Sequence, residues 1–169
     1  MPKAVIVYIR VVDGINHKVG LLAMYMIFAM MGILLYSSIS KTFFTPSLWT
    51  LEMAQFFMVA YFLLGGGHSL QIDSHVRMDL LYSRWSPRTK AVIDSITILF
   101  LIFYMVMLLY GGYSSTSYAL QYGEKSYSSW APPMAPIKIV MCFGIALMLL
   151  QVIATFFRNL AEARGKPIP

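Results

Sequence analysis

A charged interior segment at residues 74–90 lies between long apolar runs, with two such runs on each side of it. The segment contains Arg77, Arg84, Arg88 and Lys90. A Lys or Arg at the bilayer centre costs about 2.5–3.5 kcal/mol on insertion scales, and short basic loops tend to stay on the cytoplasmic side. The segment therefore predicts a cytoplasmic link, at about residues 71–92, between two pairs of membrane spans.

The composition supports a membrane protein, because 59% of the 169 residues are hydrophobic and only 12% are charged, whereas soluble domains carry about 25% charged residues. About twenty helical residues cross the hydrocarbon core. We therefore predict an all-α membrane protein with a single domain over residues 1–169 and four transmembrane helices, at about 19–40, 49–70, 93–113 and 137–157.

Two further segments are predicted to form amphipathic helices in the membrane interface. In residues 2–18, Ile6, Ile9, Val12 and Ile15 recur at near-helical spacing, and the charged residues lie on another side. Such a helix lies in the headgroup plane instead of crossing the bilayer. In the central link, apolar residues at helical spacing predict a similar short helix over residues 74–86.

The distribution of basic residues predicts the orientation. Of the thirteen Lys and Arg residues, only Lys41, Lys125 and Lys138 lie outside the two terminal segments and the central link. Both termini are therefore predicted to be cytoplasmic. Because the basic residues border apolar runs, the net charge of +6 indicates contact with the lipid bilayer at an anionic membrane surface, and no nucleic-acid partner is expected.

The second span carries the candidate interaction residues. Trp49 belongs at the interface, and Glu52, Gln55 and Gly66 lie roughly on one helical face. The triplet Gly65-Gly66-Gly67 removes side chains and allows another helix to approach closely. Glu52 is either a proton or coupling-ion site or a carboxylate near the interface that is paired with a neighbouring helix. Gln55 and Gln151 are expected to form hydrogen bonds between helices.

The sequence shows no residue set for catalysis and none for a cofactor, so neither enzymatic activity nor a bound cofactor is expected. A four-span bundle with so few polar groups is a poor pathway for a hydrophilic solute, and a partner subunit is the better interpretation. One alternative is a self-sufficient, proton-coupled small transporter that uses Glu52. Another is a respiratory haem or quinone anchor, although a haem needs a second histidine at the depth of His68, and His17 is predicted to lie outside the spans.

Three motifs resemble a known family. They are Trp49-Thr50-Leu51-Glu52 at the start of the second span, Gly65-Gly66-Gly67 near its end, and His75-Val76-Arg77-Met78-Asp79-Leu80-Leu81 directly after it. With its length and its four predicted spans, the chain resembles the small, DctQ-like membrane subunit of tripartite ATP-independent periplasmic (TRAP) transporters. It departs from the usual pattern at Gln71-Ile72-Asp73, where basic residues are common in that family.

The resemblance implies a transporter of three parts in a bacterial or archaeal inner membrane. A periplasmic binding protein captures an organic acid or similar solute, and a large elevator-type subunit moves it inward with a sodium gradient. The small subunit is a fixed scaffold, and sodium coupling belongs to its partner. The second-helix face around Glu52, Gln55 and Gly66 is then the expected contact with the large subunit. His75, Arg77 and Asp79 are expected to form a cytoplasmic charge cluster or to meet lipid headgroups, the alternative being an ordinary solvated loop.

Overall fold

The computed structural model describes residues 3–72 and 87–163, and these residues form four helices. They are α1 (Lys3–Phe43), α2 (Thr50–Gln71), α3 (Pro87–Tyr122) and α4 (Ala135–Ala163). Apart from one isolated bridge between Lys125 and Pro133, the described part of the chain contains no β-structure, which agrees with the predicted all-α class. The predicted helix at 74–86, and with it His75, Arg77 and Asp79, lies outside the described residues.

The helices pack in the order α1, α2, α4, α3. Helix α2 contacts α1 and α4 extensively, α3 packs on α4, and α1 meets α4 over a smaller area. We call the end of the bundle that carries the start of α1 and the end of α4 the terminal end. The opposite end, with the α1–α2 and α3–α4 connections, is the loop end. Helix α4 is the most enclosed, since 33% of its most apolar stretch is buried, against 11% for α1 and for α3.

The prediction of a separate interfacial helix at residues 2–18 is wrong, because α1 continues without a break from Lys3 to Phe43. At 1.5 Å per residue it is about 60 Å long, twice the hydrocarbon thickness. The middle of the apolar face that suggested a membrane surface packs on α4 instead, whereas Ile15 is exposed. Ile9 and Val12 form a buried cluster with Ala154, and the Tyr8 hydroxyl donates a hydrogen bond of 3.0 Å to the Leu150 carbonyl.

Three helices in the described part of the chain, α1, α3 and α4, are long and apolar enough to cross a membrane. Helix α2 is not among them, although its 22 residues are sufficient in length. Its hydropathy is lowered by Glu52, Gln55, His68 and the glycine triplet. Helices α1, α3 and α4 also extend beyond the predicted spans, and α3 begins at Pro87, a favourable residue for the first helical position.

Close helix contacts centre on glycines. An ideal Cβ at Gly144 of α4 would lie 2.8 Å from the Leu63 Cβ and 3.0 Å from the Leu63 carbonyl carbon of α2. At Gly66 it would lie 2.7 Å from the Met148 sulfur, and at Gly67 it would lie 2.3 Å from the Asn16 side-chain oxygen. The triplet therefore does permit close approach, and the approaching helices are α1 and α4 of this same chain.

Substitution Gly144→Ala is expected to destabilise the bundle. The added methyl group meets the Leu63 backbone, so the helices must separate, and such overpacking costs about 1–3 kcal/mol. Gly111→Ala on α3 is the matched control, because a Cβ there has no neighbour within 4 Å. Thermal unfolding of the purified chain in detergent measures the difference. Equal unfolding temperatures for the two variants would contradict this packing.

Candidate functional site

A buried polar cluster joins α1 and α4 near the terminal end. The Asn16 amide nitrogen donates a hydrogen bond of 2.8 Å to Gln151 Oε1, and Gln151 Nε2 donates one of 2.8 Å to Asp13 Oδ1. The Arg158 guanidinium forms an ion pair with the other Asp13 oxygen. We call these four residues the polar clamp. Asn16 and Gln151 have no exposed surface, so their amides depend on these internal bonds.

Helix α2 leaves room for the polar clamp at Gly67. A Cβ at this position would lie 2.3 Å from the Asn16 side-chain oxygen, so a larger residue would displace the Asn16 side chain from its place in the clamp. The prediction that Gln151 bonds between helices is confirmed. Sequence analysis missed the contributions of Asp13, Asn16 and Arg158. The available signal was a pair of helical spacings, since residues 13 and 16 share one face, as do residues 151 and 158.

Glu52 is buried at the loop end, where it contacts the α3–α4 connection. Its Oε1 accepts a hydrogen bond of 3.3 Å from the Ser126 hydroxyl, and its Oε2 is buried without a partner among the described residues. Glu52 therefore bonds to a loop, whereas one of the two interpretations from the sequence had paired it with a neighbouring helix.

The connection itself, residues 123–134, is a folded loop. Gly123 ends α3 with a positive φ of 59°, the conformation that glycine adopts most readily after a helix. The Ser126 amide donates to the Pro132 carbonyl and the Met134 amide to the Glu124 carbonyl, each at 2.9 Å. Lys138 of α4 forms an ion pair of 2.5 Å with Glu124. These bonds fix the loop over the start of α2.

The predicted face of α2 is divided between the interior and the surroundings. Glu52, Gly66 and Gly67 are turned toward other parts of the chain. Gln55, in contrast, is exposed. The predicted face therefore includes both inward-facing and exposed residues, and it is not one continuous contact surface.

The exposed side of α2 forms a stripe at helical spacing. We call it the outer α2 stripe, and its members are Leu51, Gln55, Met58 and Phe62. None of the hydrogen bonds between described residues involves the Gln55 amide. The expected bond from Gln55 to another helix of this chain is therefore absent from the described part. Trp49 precedes the stripe and stacks on Tyr36 with ring centroids 5.8 Å apart.

The structure also brings two histidines together at the terminal end. The rings of His17 and His68 meet edge to face, with centroids 5.2 Å apart and planes inclined at 66°. The expectation that His17 lies at a different level is therefore wrong, because α1 continues past its predicted span. Rings in direct edge contact leave no gap for a porphyrin between them, which removes the support for a haem held by this pair.

Comparison with known proteins identifies the family. A family model described as tripartite ATP-independent periplasmic transporters, DctQ component, matches residues 30–162. The chain belongs to the DctQ family. This is a family of transporter components and not of enzymes, and with the apolar helices it indicates a multi-pass protein of the inner membrane. No curated protein matches the chain. The matched region begins within α1, so Asp13 and Asn16 of the polar clamp precede it.

Substitution Gln151→Leu tests the polar clamp. It removes both bonds of the Gln151 side chain. The Asn16 amide nitrogen then keeps only its bond to the Val12 carbonyl, and Asp13 keeps only its ion pair with Arg158. This loss is expected to cost about 1–3 kcal/mol. Gln55→Leu is the matched control, because the same change at this exposed position breaks no internal bond. Unfolding of each purified chain in detergent is compared with wild type. An unchanged stability of Gln151→Leu would contradict the importance of the clamp.

Proposed function

We propose that this chain is the scaffold subunit of a TRAP transporter and that it supports a large, sodium-coupled elevator subunit. A periplasmic binding protein delivers an organic acid or similar solute to that partner. The family match supports the assignment to the small component. The observation that carries the scaffold role is the use of buried polar groups: in the described residues, the polar clamp and the Glu52–Ser126 contact bind parts of the chain to each other.

The proposed topology has four spans, with α2 as the fourth membrane-crossing helix and both termini in the cytoplasm. Helix α2 packs between α1 and α4, and its 22 residues extend about 33 Å, enough to cross the hydrocarbon. The positive-inside rule supports placing the terminal end on the cytoplasmic side. His75, Arg77 and Asp79 would then lie in the cytoplasmic link, where we propose that they meet headgroups or the partner.

We propose the outer α2 stripe, with Trp49 and Gly65 beside it, as the contact with the large subunit. Gln55 carries this proposal, since an amide that faces lipid without a hydrogen-bond partner is costly. A polar group on the partner helix would satisfy it, and such bonds between membrane helices contribute about 0.6–2 kcal/mol. Glu52, Gly66 and Gly67 support this surface from inside the chain.

Substitution Gln55→Leu is expected to weaken the complex with the large subunit about three- to thirtyfold, the loss of one hydrogen bond between helices. The measurement is recovery of the tagged large subunit together with this chain after co-expression. Thr97→Leu, on the exposed surface of α3, serves as the control and is expected to leave recovery unchanged. Equal recovery of the wild type and both variants would rule out Gln55 as a contact residue.

The rival function, a self-sufficient proton-coupled transporter, is favoured by the unpartnered buried oxygen of Glu52. Liposomes that contain only the purified chain distinguish the two functions. Under the scaffold proposal they accumulate no organic acid in either a proton or a sodium gradient. Accumulation by the chain alone, and its loss in Glu52→Gln, would establish the rival and overturn the scaffold proposal.

A further inference from the structure

A groove of about 690 Å³ opens between α1 and α2. Its walls are residues between positions 20 and 27 of α1 and between positions 61 and 69 of α2, together with Ile72 just after α2 and Met148 of α4. We call it the α1–α2 groove. Most of its side chains are apolar, and its volume is within the range of about 300–1,000 Å³ that is typical of small-molecule sites.

The bare backbone at Gly65 leaves part of the groove open. A Cβ at Gly65 would meet only the Ala23 Cβ, at a comfortable 3.8 Å, whereas Gly66 and Gly67 are filled by Met148 and Asn16. The three adjacent glycines therefore have different surroundings. Gly65 borders an open space and a Cβ there makes no tight contact, so we expect a larger side chain to extend into the groove.

The length of the groove favours a lipid chain over a partner helix. Its walls extend about 10 Å along α1 and about 16 Å along α2, at 1.5 Å per residue. This is about half of the hydrocarbon thickness of roughly 30 Å. A partner's transmembrane helix would call for a longer groove, whereas the acyl chain of a lipid occupies one leaflet only.

The terminal end of the groove is polar, and one lysine lies close to it in sequence. His68 and Ser69 line it, His17 touches His68, and Lys18, the next residue in the sequence, is exposed. The nearby carboxylate of Asp13 is bound by Arg158 and Gln151. The Lys18 ammonium group at this level favours an anionic headgroup, because anionic lipids are attracted to basic residues at the cytoplasmic surface.

We propose that the α1–α2 groove binds one anionic phospholipid of the cytoplasmic leaflet. Its acyl chain lies along Gly65, and its phosphate lies near Lys18 and the two histidines. The choice of leaflet rests on the orientation given under the proposed function. A lipid held in this way would fill the space between α1 and α2 and fix the depth of both helices.

The test uses the full-length purified chain in nanodiscs that contain equal amounts of phosphatidylglycerol and phosphatidylcholine, followed by native mass spectrometry. Wild type is expected to retain one phosphatidylglycerol molecule. Gly65→Leu is expected to lose it, because the new side chain occupies the groove. Gly111→Leu is the matched control, since a Cβ at Gly111 meets nothing within 4 Å and the residue lies on α3. Circular dichroism verifies that each variant is folded.

A second pair of variants examines the headgroup and does not alter the packing. Lys18→Gln is expected to reduce the preference for phosphatidylglycerol about fivefold, the effect of one basic side chain near an anionic surface. Lys41→Gln, at the other end of α1, is expected to leave it unchanged. Retention of no lipid, equal retention of both lipids, or unchanged retention by Gly65→Leu would overturn the proposal. Because these nanodiscs do not contain the large subunit, the outcomes are independent of the co-purification experiment with Gln55→Leu.

Discussion

The hydrogen bond between Asn16 and Gln151 is the interaction on which the bundle depends. Both amides are fully buried, and an unpaired polar group in an apolar environment is costly. Each residue therefore fixes the other, and Asp13 and Arg158 extend the bond into a chain across the two helices. Gly67 brings α2 to the same point. Helices α1, α2 and α4 are thereby held in one register near the terminal end.

A second set of contacts fixes the loop end. Thr50, at the start of α2, is fully buried and donates a hydrogen bond of 3.0 Å to the Ser37 hydroxyl of α1. Glu52 bonds to the α3–α4 loop, and Lys138 pairs with Glu124 at the base of that loop. Polar bonds therefore connect the helices at both ends of the bundle, with glycine-mediated packing between them. Such bracing suits the scaffold role that we propose for this subunit.

Hydropathy and charge predicted the helical class and the apolar runs, because both depend on transfer between water and lipid and need no tertiary information. Periodicity was less informative for residues 2–18. An apolar stripe at helical spacing suits either a membrane surface or a neighbouring helix. The contact with Ala154, more than 140 residues away in sequence, decides between them.

The glycine triplet predicted close approach. It did not show that Met148 and Asn16 of the same chain occupy the space. The polar clamp was missed for the same reason, because its bonds join residues about 135 positions apart.

The central claim is that this subunit keeps one conformation while the transporter works. Leu22 of α1 and Phe143 of α4 are both exposed and can carry spin labels. Double electron–electron resonance then measures the distance between these helices in the assembled, reconstituted transporter. The Cys142→Ser background removes the single native cysteine. We predict the same distance distribution with and without sodium and solute, while a label pair within the large subunit changes. A second distance between Leu22 and Phe143 that appears with sodium and solute would contradict the account.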